Sequence, residues 1–265
     1  MVRVLVHAGF HKTGTTSLQD YLKDNHDLLR PYMRFYGKLD FFDAGAAARR
    51  FGQAPFFWRK LAFRLKFRRF LNRIPSDPVI VLSRETFAGA MPGHRDWRGR
   101  RVQRYAPTAI ALAHVIESEL KNRFGPETSV EFLYTTRDPQ SWLRSVWGHL
   151  LRSIHLQDDM ATYCATHAGT VDLDEEVAQI RRALAPLPVY SAALEDLSTD
   201  PAGPAAAVLD VLGVPDGLRA KLPPAGLRNT AQRTQLQSAF LTLNRSGKSK
   251  AELKRIKDDM LKGKI

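Results

Sequence analysis

The 265 residues are 44% hydrophobic, enough to bury the core of one large α/β domain. No stretch approaches the roughly 20 continuous apolar residues needed to cross a bilayer. A balance of 40 Lys+Arg against 27 Asp+Glu, net +13, favours anionic partners such as phosphorylated nucleotides, acidic glycans, nucleic acid or anionic lipid, without choosing among them. The lone Cys164 excludes an internal disulfide and no His/Cys cluster has metal-ligand spacing, so no metal site is expected. A reducing, cytoplasmic location fits, because residues 2–7 run straight into a glycine loop and leave no room for a cleavable targeting segment.

In chain order, residues 2–6 predict a strand that feeds the loop 9–16, and residues 15–22 predict a helix with Leu18, Tyr21 and Leu22 on one side. A helical insertion over about 27–75 precedes a second strand at 79–82. A helix at 106–123 leads to a strand at 130–134, a helix at 139–153, another at 174–185 and a weaker strand at 188–190. Helices at 202–212, 231–244 and 249–262 complete the chain, the last of them within a basic helical tail over about 230–265. Strands alternating with helices predict a single α/β domain over 1–265, with a central parallel β-sheet flanked by helices, of the P-loop nucleotide-binding type. Pro and Gly are scattered over 186–188, 201–204 and 223–226 and mark no linker.

A strand, a glycine loop and a helix in succession gather backbone N–H groups and a positive helix end around one point, a site for phosphate or sulfate. Gly9 and Gly14 have the spacing of a Walker A loop, but Thr15 and Thr16 follow where Lys and Ser/Thr would stand. The lysine is displaced to Lys12, inside the loop, where it can reach a terminal phosphate or a bridging oxygen while Thr15, Thr16 and Ser17 supply hydroxyls and amides. A Mg-dependent NTPase would also end a later strand in Asp, where this chain has Ser83 and Thr136-Arg137.

Residues 7–19, His-Ala-Gly-Phe-His-Lys-Thr-Gly-Thr-Thr-Ser-Leu-Gln, resemble the 5′-phosphosulfate-binding loop of the sulfotransferase family, especially its bacterial and carbohydrate-acting members. The resemblance implies that Lys12 contacts the leaving phosphate and the bridging oxygen of 3′-phosphoadenosine 5′-phosphosulfate (PAPS), the donor. Phe10, His11, Lys12, Thr13, Gly14, Thr15, Thr16 and Ser17 then form the loop that holds its 5′ end.

The second strand-to-helix junction repeats the logic. Asp138 is a natural N-cap with Pro139 at the first helical position, and Arg137 leaves the carboxyl end of the strand with a planar fork suited to a phosphate dianion. Ser145 lies two turns into the helix on the face of Ser141, Trp142, His149 and Arg152. This segment resembles the family's 3′-phosphate site, which implies that Arg137 and Ser145 grip the 3′-phosphate; Ser83 and Arg84 are further candidates. The family's glycine-rich C-terminal element has its nearest counterpart in Arg245-Ser246-Gly247-Lys248.

Sulfuryl transfer to a hydroxyl or amine needs a base within hydrogen-bond reach of the acceptor. Glu85, just past the second strand, is the first candidate, with His11 as the alternative. No metal is required, since Lys12, loop amides and the helix end supply positive field. The acceptor, a glycan, a lipid or a small molecule, does not announce itself. The remaining readings are a P-loop small-molecule kinase and a non-enzymatic binder of anionic membrane or nucleic acid. The last rests on residues 49–73, where arginines and lysines interleave with Phe51, Phe56, Phe57, Trp58, Phe63, Phe67 and Phe70 and no acidic residue intervenes. The same stretch also fits an amphipathic helix with its aromatic side on the core.

Overall fold

In the computed structural model, which describes residues 1–93, 96–100, 102–226 and 234–262, the first apolar run forms β1 (Arg3–His7), the middle of a five-stranded sheet. β3 (Val79–Ser83) and β4 (Ser129–Thr136) flank it, and β2 (Arg34–Tyr36) and β5 (Val189–Ala193) form the edges, giving the order β2-β3-β1-β4-β5. Every pairing is parallel. The register sets His7 beside Ser83 on one side and Leu133 on the other. Val4, Leu5 and Val6 are wholly buried, as expected of a strand covered on both faces.

The helices are α1 (Thr15–Asp24), α2 (His26–Leu29), α3 (Phe42–Gln53), α4 (Phe57–Leu71), α5 (Ala106–Phe124), α6 (Pro139–Ser153), α7 (Met160–His167), α8 (Leu173–Leu184), α9 (Ala206–Leu212), α10 (Asp216–Arg219), α11 (Thr234–Asn244) and α12 (Lys250–Leu261). A 3₁₀ turn, Glu85–Ala88, follows β3 directly. β2 has no counterpart among the predicted strands: at three residues it is too short for periodicity to register. The predicted helix at 231–244 begins in residues outside those described, as does the far end of the basic tail.

The chain separates into two compact units. The first, Met1–Arg137 with Val171–Gly226, contains the whole sheet. On one face Leu18 and Leu22 of α1 pack with Val208 and Leu209 of α9 and with Leu5, Val81 and Leu133 from the strands. In the helical insertion, Phe63, Phe67 and Phe70 of α4 are buried, and its cations find a carboxylate outside the stretch: Glu119 of α5, itself buried, binds Arg68 at 2.6 Å and Arg64 at 3.1 Å.

The second unit, Asp138–Thr170 with Leu227–Ile265, is helical. The Asp138 carboxylate accepts the Ser141 N–H at 2.8 Å and caps α6, as its sequence predicts. The far end of α6 is satisfied by Lys257 of α12, which donates to Leu151 O at 2.6 Å, and by Asn244, which donates to the same carbonyl. Lys257 is buried, and that burial lowers its pKa. The tail therefore anchors α6 and is not merely a solvated helix. Arg245 is engaged in this unit too, donating to Gln157 O at 2.9 Å. Among the described residues no helix is long and apolar enough to cross a membrane.

Candidate active site

The loop between β1 and α1 turns on left-handed residues. Lys12 adopts φ 70° and Gly14 φ 85°, a conformation that costs a side-chain-bearing residue and marks Lys12 as held in place by its surroundings. A Cβ on Gly14 would also lie 2.8 Å from Leu194 Cδ1, so glycine is needed there twice over. As N-cap, Gly14 offers the first turn of α1 no side chain, and that turn carries no acidic residue. The helix thus presents amides and a positive end without competition from its own sequence. The Lys12 side chain is exposed at the lip, as is Thr16, while Ser17 is half-buried.

Phe10 and Thr13 face the other way. Phe10 is fully buried between Tyr105 and Tyr134, with ring centroids at 4.6 and 5.3 Å. The Thr13 hydroxyl, also buried, donates to Phe10 O at 2.6 Å, so these residues offer a ligand backbone only. Thr15 is buried with its hydroxyl directed at the same carbonyl, at 3.5 Å.

Beneath the loop runs a hydrogen-bond chain whose direction follows from its last link. Because Thr13 gives its proton to a carbonyl, its oxygen accepts from Thr135, 2.7 Å away. Thr135 then accepts from His7 Nε2 at 3.3 Å, which leaves His7 Nδ1 to accept from Ser83 Oγ at 2.8 Å. Ser83 Oγ in turn accepts from Gln19 Nε2 of α1 at 3.2 Å. The chain crosses β3, β1 and β4 and ends on the loop. His7 is entirely buried; desolvation holds its pKa down at about 4 while Glu85 opposes the shift. Gly9 lies over this chain: a Cβ there would meet His7 Nε2 at 2.4 Å and Thr135 Oγ1 at 2.8 Å. His7, Gln19 and Thr135 were absent from the candidate residues; a histidine ending a Val-Leu-Val strand was the available signal.

His11 packs parallel to Tyr105, and its Nδ1 lies 3.3 Å from the phenol oxygen. Burial raises the Tyr105 pKa well above its ordinary value, with the His11 backbone N–H opposing as a donor to the same oxygen. Tyr105 is fixed by Glu176, whose buried carboxylate accepts the N–H of Tyr105 at 3.2 Å and of Ala106 at 2.6 Å and pairs with Arg104 at 2.9 Å.

Two further junctions reach the same sheet edge. Arg137, half-buried just past β4, donates from Nη1 to Lys12 O at 3.3 Å, so the structure brings these two predicted residues together. Glu85, half-buried just past β3, makes its charge felt at His7, Arg84 and Tyr105. Arg84 and Ser83 are engaged by the protein itself. Arg84 is buried and donates to Lys38 O at 2.9 Å and Thr86 Oγ1 at 3.2 Å, with its guanidinium under Gly45 of α3, and Ser83 belongs to the His7 chain. Ser145, half-buried in α6, belongs to the second unit. Among the described residues no cluster of His, Cys, Asp or Glu is arranged to hold a metal ion.

Fold and site together define an α/β protein with a glycine-bearing loop and a helix N-terminus at the carboxyl edge of a parallel sheet. No family model and no curated protein matches the chain. Among solved structures it is similar to the crystal structure of a sulfotransferase from Alicyclobacillus acidocaldarius, at 15% identity over 92% of each chain with a TM-score of 0.48. A likeness at that level assigns no activity, and the functional reading stands on the chain's own residues.

Proposed function

We propose that the protein is a PAPS-dependent sulfotransferase acting on a hydroxyl, or less readily an amine, of its acceptor. The observation that carries this reading is the β1–α1 loop, with left-handed Lys12 at its lip and the Arg137 fork bound to the Lys12 carbonyl. Gly14 and the amides of Thr15, Thr16 and Ser17 would receive the 5′ end of the donor, and Arg137 a second phosphate; the loop fits an anionic group because Gly14 caps α1 without a side chain and the first turn of that helix carries no acidic residue. The donor supplies the activated sulfuryl group. Lys12 Nζ places positive charge where negative charge accumulates on the departing nucleotide. Glu85, an acceptor of protons by nature and adjacent to the same strand edge, takes the proton of the attacking hydroxyl. His11, beside Lys12, is the alternative base. Ser145 is proposed as a 3′-phosphate residue from the resemblance alone.

Labelled-sulfate transfer from PAPS to panels of glycans, lipids and small alcohols tests the activity, with Lys12→Ala and Glu85→Gln as controls. The product nucleotide, 3′-phosphoadenosine 5′-phosphate, should raise the melting temperature while ATP with Mg does not, since a ligand stabilises only the state it binds. Equal shifts, or stabilisation by ATP with Mg alone, favour the kinase and refute the reading.

A further inference from the structure

Helix α4 is apolar on two sides. Phe63, Phe67 and Phe70 face inward and pack on Phe87 and Phe41. On the opposite side Phe57, Leu61 and Leu65 recur at every fourth residue with Trp58 beside them. These are exposed, Phe57 at 72% and Trp58 at 63%. The patch continues past the start of the helix: Phe56 stacks on Trp58 at 4.6 Å and meets Trp97 at 4.8 Å, and the Arg98 guanidinium lies 4.5 Å from the exposed Trp97 ring. Contiguous exposed aromatics of this kind mark an interaction surface rather than ordinary surface scatter.

Its border is cationic. α4 contains no Asp or Glu, and Glu119 takes only Arg64 and Arg68 from it. Lys60, Lys66 and Arg69 form no ion pair among the described residues. We propose that the outer face of α4, together with Trp97, docks on the surface of an anionic lipid bilayer. Tryptophan rings with a polar edge settle at the headgroup level, Phe57, Leu61 and Leu65 enter the acyl boundary, and the flanking ammonium and guanidinium groups reach lipid phosphates. The charge pattern selects this occupant. A second copy would bring two cationic borders face to face, and a nucleic acid would satisfy the cations while leaving Leu61 and Leu65 against water. The inference is independent of the sulfotransferase reading.

The test is sedimentation of the full chain with vesicles of phosphatidylcholine, with and without phosphatidylserine. Binding is expected to the anionic vesicles and not to the neutral ones. Lipids brominated in the acyl chain should quench tryptophan fluorescence, and Trp58→Phe with Trp97→Phe should abolish the quenching, because Trp142 and Trp147 are buried. Phe57→Ser, Leu61→Ser and Leu65→Ser combined should lower vesicle affinity by about 100-fold or more, as should Lys60→Glu, Lys66→Glu and Arg69→Glu combined. Circular dichroism and melting establish that these surface variants fold. Unchanged binding by the serine variant would mean that overall charge is responsible and would overturn the proposal. Absence of binding to anionic vesicles, tighter salt-sensitive binding to duplex DNA, or dimerisation lost in the serine variant would overturn it equally.

Discussion

Acidification should destabilise the protein through His7. The ring titrates at about 4 in the folded protein against an ordinary 6.5. The unfolded chain therefore binds the proton more readily between those two values, and folding loses stability as pH falls through that window. Above 6.5 the contribution is fully present, and below about 4 both states are protonated and the loss levels off. At about 1.4 kcal/mol per pH unit, the gap is worth about 3 kcal/mol. Burial is the first cause. The hydrogen-bond direction adds to it, because a protonated Nδ1–H would face the proton that Ser83 already donates. The assay is the urea midpoint of wild type and His7→Asn across pH 4 to 8, converted to free energy with each protein's own slope. The wild type should lose about 3 kcal/mol relative to the variant on going down that range. Parallel pH profiles, or an imidazole resonance of His7 titrating near its ordinary value, would refute both the buried ring and the relay built on it.

Gly9→Ala places a methyl within 2.4 Å of His7 Nε2; it should cost about 2 kcal/mol or more in chemical denaturation and weaken nucleotide binding with it. Lys12→Ala should cut turnover by about 100-fold or more while binding of the product nucleotide falls less, because Lys12 acts most on charge that develops during the reaction. Arg137→Ala should show the reverse emphasis in calorimetry, a loss of about tenfold or more in nucleotide affinity. Tyr105→Phe removes the phenol partner of His11 Nδ1 and should shift the tautomer balance of the ring, visible in its nitrogen chemical shifts; an unchanged balance would show that the phenol does not direct the ring.

Local pattern made much of the fold legible. The β1–α1 and β4–α6 units were readable because strand, turn chemistry and helix follow one another within a few residues, and Asp138-Pro139 specifies a helix start by itself. What stayed hidden depends on distance along the chain. Thr135 joins Thr13 across 122 residues, and His7 across 128, so no window on the sequence connects them. The arginines of α4 looked unopposed because Glu119 lies on another helix. Its two apolar sides likewise defeat an amphipathic reading, which assumes one face for the core and one for water. Lys12 and Arg137 were legible as candidates; that one is bonded to the other's carbonyl was not.

The relay under the loop has its fixed points on β3, β1 and β4, at heights set by the pairing of these strands. Successive residues along a strand advance by about 3.3 Å, which exceeds the tolerance of any of these hydrogen bonds. The three strands therefore act as a gauge: inserting or deleting one residue between Arg3 and His7, Val79 and Ser83, or Ser129 and Thr135 would pull a link out of reach and turn alternate side chains to the wrong face. Length variation in kindred chains should accordingly collect in the helical insertion and at the edges, leaving these strand segments unchanged in length even where their apolar residues have been exchanged.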